Sequence, residues 1–111
     1  MSAEHPPLPH PLPSALRNLQ SAYETLLNLA RRQYACIQSD DIVGLHRVLE
    51  RETALIAAID SSRDGLLREL ARLDKSFHLE DALAQWQDEV RRLLSDIDAL
   101  DRRSVLALQQ R

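Results

Sequence analysis

Apolar residues recur every three or four positions through the middle of the chain, from Ile42 to Leu73. A period of about 3.5 residues held over this length is typical of a long helix that keeps one face against a partner helix. Only two members of the repeat are polar, Glu52 and Arg63. Its apolar members are Ile42, Leu45, Leu49, Ile56, Ile59, Leu66, Leu70 and Leu73.

A second helical stripe precedes this repeat and a third follows it. The first helix is predicted over 14–39, with Ser14 as its N-cap. Its stripe is wide enough to contact two neighbouring helices. It consists of Leu16, Leu19, Tyr23, Leu26 or Leu27, Ala30, Tyr34 and Ile37. The last helix is predicted over 79–109. Its stripe consists of Leu79, Leu83, Trp86, Val90, Leu93, Ile97, Leu100 and Ala107, with Ser104 as a polar break.

The central helix is predicted over 41–73, although residues 60–65 are poor helix formers. The stripe keeps its phase across this stretch, and burying five apolar side chains beside it is worth on the order of 7–12 kcal/mol. The helix is therefore predicted to continue, with a soft point there. A connection of about two or three residues near Asp40 makes the first two helices an antiparallel hairpin.

These elements predict an all-α fold, an elongated antiparallel three-helix bundle with coiled-coil-like packing over 14–111. All five prolines fall within 1–13, which predicts a disordered Pro-rich tail. Only two glycines and 4% aromatic residues in a chain of 111 also favour helices over sheets. The length corresponds to one domain.

Charge and cysteine usage narrow the classes of partner. A formal net charge of −3 gives no basic field for nucleic acid or for an anionic membrane, so neither is expected as a partner. The single cysteine, Cys36, excludes an internal disulfide and is expected to be a buried or half-buried apolar side chain. No secretory signal and no membrane-spanning stretch is recognisable, which predicts a cytoplasmic protein.

No motif for catalysis, cofactor binding or metal binding is present in the sequence. The four histidines are far apart or lie in the tail, and no His-x-x-x-His, Cys-x-x-Cys or glycine-rich phosphate loop occurs. The carboxylates are expected on the solvent faces of the helices or at the edge of the helix–helix contact, and not as an acid/base pair. Examples are Glu50, Glu52, Asp88 and Glu89. The sequence predicts a protein that is not an enzyme and has no cofactor.

The central and last helices carry more apolar residues than a single narrow stripe of helix–helix contact requires. The central helix also carries Val48, Leu55 and Leu67, and the last helix ends with a second apolar cluster, Val105, Leu106 and Leu108. Two interpretations stay open. The surplus either fills a wide three-helix core or forms an exposed surface for an amphipathic helix of another protein.

Residues 26–73 resemble the small flagellar export chaperones of the FlgN and FliT type. The likeness begins at the leucine-rich end of the first helix and includes the acidic turn Ser39-Asp40-Asp41-Ile42. It continues through the charged pair Arg51-Glu52, which precedes the apolar residues of the central helix. The last helix matches only loosely.

The resemblance implies a non-enzymatic chaperone that binds helical segments of flagellar hook-associated or filament-cap subunits and delivers them to the type III export apparatus. Its partners would be export substrates and components of that apparatus. The client-binding residues are expected on the last helix, with arginines at the rim: Leu94, Val105, Leu106, Leu108, Arg102 and Arg103. The alternative is a structural coiled-coil module that self-associates, as in a homodimer, or scaffolds another complex.

Overall fold

Three long helices make up the described part of the protein. The computed structural model describes residues 12–72 and 79–110, with side chains for 14–71 and 83–110. The helices are α1 (Leu12–Gln38), α2 (Ile42–Arg72) and α3 (Leu79–Gln109), and no strand occurs in the described ranges. The predicted all-α three-helix fold is confirmed. The molecule is elongated, with extents of 56 × 25 × 21 Å.

α1 begins at Leu12, two residues before the predicted start, so Ser14 lies within its first turn and is not the N-cap. Leu12 and Pro13 therefore belong to the helix and not to the tail predicted over 1–13. Proline is tolerated in the first turn because backbone N–H groups there have no acceptor within the helix. Residues 1–11 of the predicted tail lie outside the described residues.

A compact turn connects α1 to α2. The Asp41 N–H donates to the Cys36 carbonyl at 2.9 Å, and the Asp40 N–H donates to the Ile37 carbonyl at 3.4 Å. Asp40 has a φ of 58°, so this is a Schellman turn with an aspartate at the left-handed position. The Asp41 carboxylate then accepts a hydrogen bond from the Gly44 N–H at 2.9 Å and caps α2. Because Asp41 is the cap, α2 begins at residue 42 and not at 41.

α1 lies between the other two helices. The Trp86 Nε1–H donates to the Leu16 carbonyl at 2.8 Å, and the Gln20 Nε2–H donates to Glu89 Oε2 at 2.6 Å. These contacts show that α1 and α3 run parallel. Residues that lie side by side on the two helices differ by about 70 in sequence number. Within the described ranges, α1 packs against both neighbours, whereas no Cα atom of α2 comes within 8 Å of a Cα atom of α3. The two outer helices are thus held together through α1.

The core follows the stripes predicted for α1 and α3. The buried apolar side chains of α1 are Leu16, Leu19, Tyr23, Leu26, Leu27, Leu29, Ala30 and Ile37. α3 buries Leu83, Val90, Ile97 and the polar Ser104, and Trp86, Leu93 and Leu100 pack against the core half-buried. Ser104, which interrupts the stripe in the sequence, therefore occupies a core position.

The stripe of α2 turns out to be divided between the core and the surface. Ile59, Leu66 and Glu52 are buried, as expected for a seam. Leu49 and Ile56 are 41% and 47% exposed, and Ile42 is 62% exposed. The core takes Val48 and Leu55 in their place, the former buried and the latter half-buried. The buried face of α2 keeps Glu52, Ile59 and Leu66 but is turned from the predicted seam by about 40°, towards Val48 and Leu55. Ile42, Leu49 and Ile56 are therefore left largely exposed.

α2 runs without a break through residues 60–65. Gly65 lies inside the helix, and a Cβ added there would meet no atom within 4 Å. We expect Gly65→Ala to raise the free energy of unfolding by about 1 kcal/mol, because alanine loses less backbone entropy in a helix than glycine does. Urea unfolding followed by circular dichroism measures the change.

Gly44→Ala is the matched control for this prediction. A Cβ at Gly44 would overlap the Asp41 carboxylate, which would have to leave its capping position. Loss of an N-cap costs about 1 kcal/mol and offsets the gain in helix propensity. An equal stabilisation by both substitutions would contradict the assignment of Asp41 as the cap.

Candidate binding groove

An open groove runs between α2 and α3, with α1 as its floor. Its volume is about 470 Å³. The floor consists of Leu16, Leu19, Tyr23 and Leu26, and the two walls are formed by Ile56, Ile59, Asp60, Arg63, Leu66, Leu67 and Leu70 from α2 and by Leu83, Trp86, Gln87, Val90 and Leu94 from α3. Most of these side chains are apolar, so the groove offers water a largely apolar surface.

The exposed large apolar residues on the walls follow the direction of the helices. Ile56, Leu67 and Leu94 are 47%, 59% and 44% exposed, and all three line the groove. Residues seven apart in a helix differ in direction by only about 20°. Leu49 and Ile42 therefore continue the wall of α2 beyond Ile56, in the direction of the turn that connects α1 to α2.

The same geometry extends the wall of α3. Val105 lies 11 residues beyond Leu94, so its side chain leaves the helix within about 20° of the direction of Leu94. The direction of Leu108 differs from that of Leu94 by about 40°. Both are exposed, at 53% and 51%. Because α1 and α3 are parallel, the C-terminal part of α3 lies at the same end of the molecule as the N-terminus of α2. The exposed apolar positions thus form one row along α2 and one along α3, and the part of these rows that lines the groove consists of Ile56, Leu67 and Leu94.

A polar layer interrupts the apolar rows between Ile56 and Leu49. The Gln33 side-chain amide, oriented with its nitrogen towards α2, donates to the two carboxylate oxygens of Glu52 at 2.8 and 3.0 Å. Burial raises the pKa of Glu52 above its ordinary value of 4.5, and the charge of Asp101 on α3 raises it further. Burial also raises the pKa of Asp101 above 3.8, with a smaller contribution from Asp98. The negative charge of Asp101 on α3 therefore opposes ionisation of the Glu52 carboxyl on α2.

Ser104 belongs to the same level of the molecule. It follows Asp101 by one turn of α3, and the register of α1 and α3, in which Leu16 lies beside Trp86 and Gln20 beside Glu89, puts it near the level of Gln33 along the molecule. Its side chain is 1% exposed, and its Oγ has no hydrogen-bond partner in the structure. A buried hydroxyl without a partner costs roughly 1–3 kcal/mol. The layer is thus the least satisfied part of the described interior.

The raised pKa values predict that these two carboxylates destabilise the fold as the pH rises. In the unfolded chain Glu52 and Asp101 titrate near 4.5 and 3.8, below their pKa values in the folded protein. At a pH between the unfolded-state pKa values and the raised folded-state pKa values, the folded protein binds more protons than the unfolded chain. The free energy of unfolding is therefore highest at acid pH and falls as the pH rises through the folded-state pKa values of the two carboxyls. Glu52→Gln keeps partners for Gln33 and removes one charge. We expect it to increase the free energy of unfolding at pH 7 by about 1 kcal/mol and by much less at pH 4.

Urea titrations at the two pH values test this expectation. Glu50→Gln removes the same charge from an exposed position two residues away. If Glu50→Gln produced an equal gain at pH 7, the effect would come from net charge and not from the buried layer.

The six residues expected to bind a client fall into three groups. Leu94 lines the groove, and Val105 and Leu108 share its direction. Leu106 is 56% exposed but points about 120° away from Leu94, and with Arg102, Asp101 and Val105 it lines a separate shallow hollow. Arg102 forms an exposed ion pair with Asp98, with 3.1 Å between Nη2 and Oδ2. Arg103 is exposed on the side of α3 opposite the groove.

Half of the groove was absent from the set of expected binding residues. Ile56 and Leu67 on α2 are as exposed as the residues expected on α3, and Leu49 and Ile42 continue their row. The signal was present in the sequence as a heptad spacing, at 42, 49 and 56. Periodicity alone does not distinguish this row from the adjacent apolar face of α2, which contacts α1.

Among the described residues, no group of three or more His, Cys, Asp or Glu side chains is arranged to hold a metal ion. No helix in the described ranges has both the length and the apolar character needed to cross a membrane. Comparison of the chain with models of protein families, with curated proteins and with solved structures finds no match.

Proposed function

We propose that this protein is a non-enzymatic, cytoplasmic export chaperone that holds an amphipathic helix of another protein in the groove between α2 and α3. The observation that carries the proposal is the position of the groove. α2 and α3 both pack on α1 without close approach to each other, which is the arrangement of a four-helix bundle with one position unfilled. A client helix would take that fourth position.

The chemistry of the walls supports a helix as the occupant. Ile56 and Leu67 lie about three helical turns apart on one wall of the groove, and Leu94 lies on the other wall. An amphipathic helix has a continuous apolar stripe that could contact both walls. A bound helix would remove these side chains from water, and each fully buried side chain of this size contributes roughly 1.5–3 kcal/mol. Binding of this kind needs no catalytic group.

The resemblance of residues 26–73 to flagellar chaperones supplies the class of client. We infer that the clients are helical segments of hook-associated or filament-cap subunits and that the chaperone presents them to the type III export apparatus. The bound chaperone would cover the apolar faces through which such subunits assemble, and so would keep them unassembled before export.

Calorimetric titration tests the proposal. The full chain is titrated with a purified helical segment of a flagellar hook-associated protein from the same genome. We expect a one-to-one complex with a negative heat-capacity change, because apolar surface is buried. Absence of binding to every hook-associated and cap subunit encoded in that genome would contradict the flagellar assignment.

A further inference from the structure

A second concavity, the α1–α2 hollow, lies on the side of these two helices that faces away from the groove. Its volume is about 570 Å³. On α1, Arg32 of the hollow differs in direction by about 140° from Leu19 of the groove floor. On α2, Arg51 differs by a similar angle from Ile56 of the groove wall. The hollow is lined by Thr25, Asn28, Leu29 and Arg32 of α1 and by Arg51, Ala54 and Leu55 of α2.

We propose that the α1–α2 hollow binds an acidic amphipathic helix of a second protein, in which two carboxylates flank an apolar patch. The inference goes beyond the proposed function, because the hollow and the groove have no residue in common. A client helix in the groove would leave the hollow open, so the protein could hold both partners at once.

Charge complementarity is the first argument. Arg32 and Arg51 border the hollow from different helices, both residues are exposed, and no carboxylate lines it. Among the described residues, neither guanidinium forms an ion pair with a carboxylate. The Arg31 Nη1–H donates to Asn28 Oδ1 at 3.3 Å, which adds a third guanidinium at the edge of the hollow. The chain has a net charge of −3, so this basic surface is a local feature that partner carboxylates would complement.

The register of the hairpin is the second argument. The Gln33 amide of α1 contacts the Glu52 carboxylate of α2, and each arginine of the hollow precedes one of these two residues by one position. With a rise of 1.5 Å per residue in antiparallel helices, Arg32 and Arg51 differ by about 3 Å along the axis. The two arginines therefore lie almost side by side, on helices whose axes are about 8–10 Å apart when packed.

A helix offers carboxylates at a matching separation, which is the third argument. Residues seven apart on a helix point within about 20° of each other and are about 10 Å apart along its axis. Residues three and four positions after the first carboxylate lie on the same face between the two. If these are apolar, they would contact Leu55 and Ala54, with the buried Leu29 as the floor of the hollow. The aliphatic stems of the arginines would extend this apolar contact.

Two stapled helical peptides of about 18 residues serve as probes. Both have leucines at two adjacent positions, and the two flanking positions, seven apart, hold glutamate in one peptide and glutamine in the other. Binding to the full chain is measured by fluorescence anisotropy. We expect the glutamate peptide to bind about tenfold more tightly than the glutamine peptide. Because the net charge of the protein repels an acidic peptide at long range, such a preference reports local contacts.

The variant Arg32→Gln with Arg51→Gln removes both charges from the hollow. We expect it to bind the two peptides about equally. The matched control is Arg17→Gln with Arg68→Gln, which removes the same net charge from exposed positions on the same two helices, more than about 20 Å away along them. The control is expected to keep the preference for glutamate, and circular dichroism verifies that all variants are helical.

Three results would overturn the inference without bearing on the groove. These are absence of binding by the glutamate peptide, equal binding of the two peptides to the wild-type chain, and a glutamate preference that persists in Arg32→Gln with Arg51→Gln or disappears in the control. Ile56→Asp, in the groove wall, is expected to leave the affinity for the glutamate peptide unchanged. If Ile56→Asp weakened it, the peptide would occupy the groove, and the inference would be wrong while the groove remained a helix site.

A nucleic acid and a second copy of the chain are the competing occupants. A labelled single-stranded oligonucleotide is expected not to bind the full chain. Sedimentation is expected to give the same oligomeric state for the wild-type chain and for Arg32→Gln with Arg51→Gln. If the double variant abolished oligonucleotide binding or dissociated a dimer, phosphates or a second copy would fill the hollow, and the inference of an acidic helix would be wrong.

Discussion

Replacing Leu19 by alanine is expected to lower the free energy of unfolding by about 3 kcal/mol. Leu19 is 2% exposed and lies in the core between α1, α2 and α3, at the floor of the groove. The substitution removes three carbon atoms from a site where surrounding side chains are fixed by helix packing. The cost therefore includes both the lost burial and a residual cavity. A loss of this size is a large share of the roughly 5–15 kcal/mol that stabilises a typical domain.

Leu67→Ala makes the same chemical change on a side chain that is 59% exposed. Its effect is expected to stay within about 0.5 kcal/mol. Both variants are measured by urea unfolding at one pH. Equal losses would show that the floor and the wall of the groove are buried to the same extent, contrary to the structure.

Replacing Ile56 by aspartate is expected to weaken binding of a client helix by at least about 100-fold. The side chain is 47% exposed in the free protein, so its replacement leaves the fold largely intact. In the complex the new carboxylate would be buried against apolar residues of the client, one helical turn from the buried carboxylate of Glu52. Burial of an unpaired charge is one of the most unfavourable changes that an interface can suffer.

The control for this variant is Ala58→Asp, which introduces the same charge two residues further along α2. Its position is exposed and lies about 200° around the helix from Ile56, on the side away from the groove. Circular dichroism verifies that both variants are helical, and anisotropy with a labelled client segment gives the affinities. If Ala58→Asp weakened binding as much as Ile56→Asp, the contact would not be confined to the groove.

The two buried stripes that the sequence defines most clearly are those of α1 and α3. Their positions, such as Leu19 and Val90, are flanked by polar residues, so only one face of each helix can be buried. The ends of the helices were less predictable. Pro13 suggests a boundary, yet the first turn of a helix accepts proline, and α1 begins one residue before it.

The groove was harder to predict because α2 is apolar over a wide arc. Leu49 and Ile56 have apolar neighbours at Val48 and Leu55, so a turn of the helix by about 40° exchanges one apolar pair for the other while Ile59 stays buried. Periodicity alone accepts either face. The choice depends on how closely α1 approaches, which is a property of the folded packing and not of the α2 sequence.

Glu52 has a similar ambiguity. In the sequence it is a polar interruption of an apolar repeat, which fits a solvated edge as well as a buried position. Its burial follows from Gln33, 19 residues earlier in the chain, whose amide reaches both carboxylate oxygens. A gain in stability in Glu52→Gln would mean that this buried charge costs stability in the free protein. Such residues are often kept for function.

Methyl NMR of the full chain locates the surface that contacts a client helix. Spectra are recorded with and without a helical segment of a flagellar hook-associated subunit. We expect the shift changes to concentrate at the methyl groups of Ile56, Leu67 and Leu94, on both walls of the groove. Changes that instead concentrated at Leu106, or the absence of any change at saturating concentrations of the client segment, would contradict the groove between α2 and α3 as the helix-binding site.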